Sequence, residues 1–253
     1  MKQYFYTALG MAVILTFTGC ARQSTQMDEL AMAQNSNQVF EQQVSENSSA
    51  TPKTDDTLNL IEFTLDEPAG GYCIIAVDTA ISGDIVIPDQ YDGKPVVRIA
   101  ERAFYNCENL NSIEIPDSIT EIDASAFRGC SGLTSVSLPD GLKAISSDCF
   151  HGCTDLRSVD IPSSVQKISE RAFYECESLE EIVFPDSLQK IDSTAFRRCS
   201  SLSEIHIPLS VERIGEHAFY GCDNITVYCE AEKRPEGWAE NWIESSQTVY
   251  WED

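Results

Sequence analysis

Leu110-Asn-Ser-Ile113-Glu-Ile115-Pro116-Asp-Ser-Ile119-Thr-Glu-Ile122-Asp-Ala-Ser-Ala126-Phe127-Arg-Gly-Cys130-Ser-Gly132 is one unit of a pattern that returns every 23 residues. Near-copies begin at Leu133, Leu156, Leu179 and Leu202. Phe104, Phe127, Phe150, Phe173, Phe196 and Phe219 keep the interval, as do Cys107, Cys130, Cys153, Cys176, Cys199 and Cys222. Proline keeps it from Pro116 to Pro208. A constant period in this range predicts a solenoid: small identical units, each unable to bury its own apolar face, stacked along one axis.

Within the unit, Ile113 and Ile115 alternate with polar neighbours, the period-two pattern of a strand with one buried face. Pro116 ends that strand, and Asp117 and Ser118 supply turn chemistry. Ile119 and Ile122 mark a second short extended segment. Asp123, Ser146, Ser169 and Asp192 stand where a helical turn wants its N-cap, with Ala126 and Phe127 following on that turn. The phenylalanine is expected between the two walls of each coil. Departures are few: Cys149 stands in the alanine slot and Phe184 in that of the second isoleucine.

The pattern Leu-x-x-Ile-x-Ile-Pro…Ile…Ala-Phe-x-x-Cys resembles the bacterial leucine-rich repeats of the BspA type, found in surface proteins of mucosal and gut anaerobes. Ile87-Pro88 through Gly93, Pro95 and Ile99 resembles the lengthened first repeat of that family. Val227-Tyr228-Cys229 with Gly237-Trp238, Trp242 and Val249-Tyr250-Trp251 resembles its closing segment. The resemblance implies a leucine-rich-repeat solenoid: a β-rich, right-handed coil of short strands and short helical turns with a cap at each end. Residues 85–225 are then six repeats, the first lengthened. Residues 58–84 form an N-terminal cap hairpin turning at Ala69-Gly70-Gly71, and residues 226–253 a C-terminal cap. The three tryptophans all fall in that last segment, where they pack as a cap or, alternatively, offer a sugar-stacking platform.

Residues 1–19 read as a signal peptide: Lys2 gives a thin positive start, and Tyr4 to Phe17 is an apolar run too short to span a bilayer. Leu15-Thr16-Phe17-Thr18-Gly19-Cys20 resembles the end of a bacterial lipoprotein signal, in which the cysteine is acylated, although Phe17 stands where leucine is usual. That resemblance makes Cys20 the lipidation site and the chain an exported lipoprotein whose only membrane contact is its lipid. The alternative is an ordinary secretory signal. Residues 20–57 then hold the lipidated cysteine and a flexible tether, rich in Gln, Asn, Ser and Thr and too poor in apolar residues to offset the entropy of ordering.

A net charge of −24 repels phosphate backbones, which argues against nucleic acid as a partner. There is no phosphate-binding glycine loop, no nucleophile elbow and no carboxylate pair outside repeat positions, so no catalytic residue is assigned and no enzyme expected. Cofactors are likewise expected to be none. Cys149-Phe150-His151-Gly152-Cys153 superficially suggests a metal, but Cys149 and Cys153 occupy buried repeat slots and His151 a variable, exposed one, so metal ligands are set at none. The cysteine ladder is expected to be reduced and buried, because equivalent side chains point in parallel while a disulfide needs converging ones. Cys73 and Cys229, in the caps, are the bridge or free-thiol candidates.

What remains is surface. Outward positions beside the buried isoleucines change from coil to coil: Ser112 and Glu114, Ser135 and Ser137, Ser158 and Asp160, Glu181 and Val183, Glu204 and His206. Variable side chains on a fixed frame are how repeat proteins build extended binding faces. A secondary basic stripe runs through Arg98, Lys143, Lys167, Lys190 and Arg213, interrupted by Glu121 and Ala144. The family resemblance implies cell-surface adhesion through an extracellular protein. A glycan-binding accessory lipoprotein and a passive structural spacer are the competing readings. Exposed aromatics on the repeat face would favour glycan, and apart from Tyr105, Tyr174 and Tyr220 near the cysteine turn few are expected there.

Overall fold

The computed structural model describes residues 59–252. The signal peptide, Cys20 and the tether lie outside the described residues. The chain opens with β1 (Ile61–Asp66) and β2 (Gly71–Val77), an antiparallel hairpin, followed by β3 (Gly83–Val86), β4 (Gln90–Tyr91) and β5 (Lys94–Ile99). Long and short strands then alternate: β6 (Leu110–Glu114), β7 (Glu121–Ile122), β8 (Ser135–Ser137), β9 (Ala144–Ile145), β10 (Ser158–Asp160) and β11 (Lys167–Ile168). The alternation continues through β12 (Glu181–Val183), β13 (Lys190–Ile191), β14 (Glu204–Ile207) and β15 (Arg213–Ile214), before β16 (Thr226–Cys229) and β17 (Thr248–Trp251) close the chain.

Equivalent strands of successive coils pair in parallel, giving the solenoid read from the sequence. One wall is the sheet β3-β6-β8-β10-β12, continued by β14-β16-β17; the other is β9-β11-β13-β15, with β5 and β7 paired ahead of it. The ladder of the long wall is interrupted between β12 and β14, at the coil in which Phe184 replaces isoleucine. Along each strand the alternation is clean: Ile113, Val136, Val159, Ile182 and Ile205 are buried.

The six phenylalanines have no exposed surface and stack ring on ring from Phe104 to Phe219, with centroids 4.9 to 5.4 Å apart. Such pairs add roughly 0.5–1.5 kcal/mol each beyond the area they bury. Trp242 closes the stack edge-on, 5.9 Å from Phe219. Beside the rings runs the cysteine column. Each thiol from Cys130 onward donates to the carbonyl of the phenylalanine 26 residues earlier, at 3.0 to 3.2 Å: Cys130 to Phe104, Cys153 to Phe127, Cys176 to Phe150, Cys199 to Phe173, Cys222 to Phe196. The nine described cysteines, Cys73 and Cys229 among them, are all buried and free. Turn serines make a third column, Ser164, Ser187 and Ser210 donating to carbonyls of the preceding coil at 2.6 to 2.7 Å.

The segments expected as short helical turns contain no helix among the described residues. They are runs of tight turns, as in Ala126 N–H to Asp123 O, Arg128 N–H to Ser125 O and Cys130 N–H to Phe127 O. The reason is backbone handedness. These coils place one left-handed residue two positions after the expected cap (Ser125, Asp148, Arg171, Thr194), with His217 the equivalent two positions after Gly215, and a second near the cysteine (Gly129, Gly152, Glu175, Arg198, Gly221). A left-handed residue ends a helical turn before a second can form. The expected caps find other work: Asp123 accepts from Arg98, Asp192 pairs with Lys167, and Ser146 donates to the Ile122 carbonyl. The turn wall is itself laddered, Phe127 N–H donating to Cys149 O at 2.9 Å and Phe173 N–H to Ala195 O at 2.8 Å.

At the C-terminal end Trp238 and Trp242 are buried, and Trp238 Nε1 donates to Val211 O at 2.9 Å. Gly237 allows this docking, since a Cβ there would run into the Glu212 carbonyl. These two indoles are cap residues, closed to sugar.

Two outcomes follow. Phe173→Ala in a central coil should cost about 3–5 kcal/mol in urea unfolding, whereas Ser158→Ala on the outer face should stay within about 0.5 kcal/mol. Burial also raises the thiols of Cys149, Cys153, Cys176 and Cys199 above the ordinary 9.0 and pushes Cys229 up to about 12. A raised folded value favours the protonated, folded form. Stability should therefore hold through neutral pH and fall as pH climbs past 9.0 and the unfolded thiols ionise. Unfolding free energy measured against pH should show this fall, with a shallower slope in Cys176→Ala.

Candidate functional site

The outward side chains of the long wall form two columns. In the first, Asp84, Ser112, Ser135, Ser158 and Glu181 are consecutive partners, and Glu204, Thr226 and Thr248 continue beyond the interruption. In the second, Val86 leads to Glu114 and Ser137, Asp160 faces Val183, and His206, Tyr228 and Tyr250 follow. The sequence-assigned face residues all lie on these columns; Ser112 is half-buried and the others exposed. At the N-terminal end Asp84 Oδ1 accepts from Ser112 Oγ and Asn111 Nδ2, both at 2.6 Å, and these bonds lower its pKa.

The second column changes character along its length. Glu114, Ser137 and Asp160 are polar, whereas Val183 is 62% exposed and is followed by an exposed aromatic row. His206 stacks on Tyr228 at 4.9 Å and 15°, and Tyr228 on Tyr250 at 5.2 Å and 13°. Leu209, 69% exposed, stands beside the row, its N–H donating to Glu230 Oε2 at 2.9 Å. The repeat face thus carries exposed aromatics that the sequence reading missed. The signal was there, in Thr226-Val227-Tyr228 repeated as Thr248-Val249-Tyr250, but at a spacing of 22 rather than 23.

The basic stripe lies on the short wall. Lys167, Lys190 and Arg213 are consecutive partners, with Ala144 ahead of them; Lys143 is exposed one residue out of the column. Acids neutralise part of it. Arg98 binds Asp123 at 2.7 Å, a bond that raises the pKa of the guanidinium, and Lys167 Nζ lies 2.7 Å from Asp192. A depression of about 430 Å³ between the last coil and the cap, lined by Arg213, Glu236 and Trp238 among others, is open to solvent.

The turn wall holds a third column, one place after each phenylalanine: Tyr105, Arg128, His151, Tyr174, Arg197 and Tyr220. Some of its members pack on one another, although the buried Arg197 Nε has no hydrogen-bond partner. The Arg197 guanidinium lies 5.0 Å from the Tyr220 ring and 5.9 Å from that of Tyr174. His151, read from sequence as exposed, keeps only 15% of its side chain in solvent; Nδ1 lies 2.7 Å from Asp148 Oδ1 and the ring tilts against Tyr174. Its neighbours Cys149 and Cys153 point into the core. Among the described residues no group of three His, Cys, Asp or Glu side chains is placed to hold a metal.

The sequence profile of the BspA type leucine rich repeat region matches residues 97–226, in six copies. No curated protein matches the chain. Among solved structures, a leucine-rich cell surface protein of Faecalibacterium prausnitzii is 29% identical, with a TM-score of 0.53 over 77% of this chain and 58% of that one. The Treponema pallidum (T. pallidum) leucine-rich repeat protein is 30% identical over 71% of each chain, with a TM-score of 0.47. The pneumococcal vaccine antigen PcpA shares the fold at 23% identity and a TM-score of 0.53, over 72% of this chain and 49% of its own length.

Proposed function

The chain belongs to the BspA-type leucine-rich repeat family, and on that premise we propose that it is a binding module held at the bacterial surface, where it takes a partner protein on the outward face of its long wall. One observation carries this reading: the inward positions of the wall are near-invariant from coil to coil, while the outward ones run through serine, aspartate, glutamate, valine, histidine and tyrosine. Packing explains the first set and leaves the second free to meet a partner. The likeness to a leucine-rich cell surface protein of Faecalibacterium prausnitzii supports the location. Catalysis has no part in the reading, because the polar groups lie in open rows rather than converging in a cleft. Lipid on Cys20 and a tether over residues 20–57 complete the proposal, standing the solenoid off its membrane. A glycan-binding accessory role and a passive spacer are the outcomes that would replace it.

Cys20→Ala should move the protein from the membrane fraction to the soluble one; retention in the membrane would remove the lipid anchor from the proposal. The binding face is tested by screening the full chain against host matrix proteins and a glycan array, then repeating with Glu181→Lys and Glu204→Lys. Saturable protein binding that drops about tenfold or more in the reversed variants supports the reading. Binding to glycans alone, indifferent to those reversals, would overturn it.

A further inference from the structure

The outer face is not uniform, and its C-terminal half is chemically distinct. Val183 stands exposed at the end of one ladder; past the interruption the second column runs through His206 and Tyr228 to Tyr250, and Leu209, whose amide is bonded to Glu230, is exposed as well. Solvent-exposed apolar side chains scattered singly need no explanation, but a contiguous strip of them does. Acids border this strip: Glu181 and Glu204 occupy the adjacent outward column, and Glu230 is fixed by its bond to the Leu209 amide. Glu204 also reaches His206 Nε2 at 3.0 Å. The charge of the whole chain adds to the same negative field.

The stacking geometry narrows the ligand class. Because His206, Tyr228 and Tyr250 lie within about 15° of parallel at centroid distances near 5 Å, they turn their faces toward one another along the axis. What they offer outward is ring edges and tyrosine hydroxyls. A sugar ring stacks on an aromatic face; both faces of Tyr228 and one face each of His206 and Tyr250 are taken, so the row offers such a face only at its two ends. Ring edges pack instead against aliphatic side chains or the faces of other aromatics, and tyrosine is enriched where proteins meet.

Resting on the reading of the long wall as the binding face, we propose that the strip Val183–His206–Tyr228–Tyr250 docks a protein segment in which lysine or arginine residues flank aliphatic or aromatic ones. The apolar residues lie along the strip, and the cations face Glu181, Glu204 and Glu230. The polar middle of the wall, with Ser135 and Ser158, contributes little to such a partner.

The test pans the full chain against a random peptide library displayed on phage. Enriched peptides should pair Lys or Arg with Leu, Ile, Phe or Trp. Their binding should weaken about tenfold or more in Val183→Lys and in the double variant Glu181→Lys/Glu204→Lys, and be unchanged in Ser135→Ala/Ser158→Ala. Thermal unfolding of each variant, all at exposed positions, should match the parent. Enrichment of acidic or uncharged peptides, or no enrichment, overturns the proposal. Peptides lost only through the serine variant also overturn it, while leaving the long wall as the binding face. Glycan-array binding abolished by Val183→Lys keeps the face and replaces the partner. Peptide binding indifferent to every variant removes the broader reading as well.

Discussion

Every coil of this protein is completed by its neighbours. A single 23-residue unit has a strand wall, a turn wall and one phenylalanine, too little apolar surface to fold alone. In register, roughly one strand spacing apart, the same units close each other: ring on ring, strand on strand, thiol on carbonyl. The last of these explains the choice of cysteine. Its side chain is small and apolar enough for a site with no exposed surface, yet its S–H meets a phenylalanine carbonyl of the preceding coil. Alanine would lose that donor, and serine would bury a more strongly hydrated group.

That dependence on register made the core legible in the sequence. Phe104 to Phe219 and Cys107 to Cys222 keep their interval because no coil can shift without misplacing a buried ring. The turn wall was less legible. Ser125, Asp148, Arg171, Thr194 and His217 share a left-handed backbone but no residue type, and Thr194 is β-branched, an unusual choice there. Ladders on both sides hold these residues where local preference would not, so the sequence reads as a helical turn and the tertiary structure says otherwise. His151 shows the same limit: its slot is occupied by arginine or tyrosine in other coils, and only the placement of Asp148 and Tyr174 shows it to be mostly covered.

The faces divide in the same way. Positions on the long wall follow from alternation, and all of those read as outward are exposed except the half-buried Ser112. The aromatic row was not legible, because Tyr228 and Tyr250 belong to strands whose interval has slipped by one residue. On the short wall and the turn wall, charged and aromatic groups largely satisfy one another, as in Arg98 with Asp123 and Arg197 between Tyr174 and Tyr220. Tyr105 and Tyr220 on the turn wall are partly exposed too, but the long wall adds the stacked row His206, Tyr228 and Tyr250 together with exposed Val183 and Leu209.

The claim on which the rest stands is that coils are interchangeable units held by in-register stacking. Excising Leu156 to Ser178, one whole period, tests it most directly. Joined at Asp155 and Leu179, the shortened chain should bring Phe150 against Phe196 and Cys153 against Cys199, and should unfold cooperatively with the same far-ultraviolet spectrum per residue. A shortened chain that is unfolded or molten, with solvent-reactive thiols, would contradict the account.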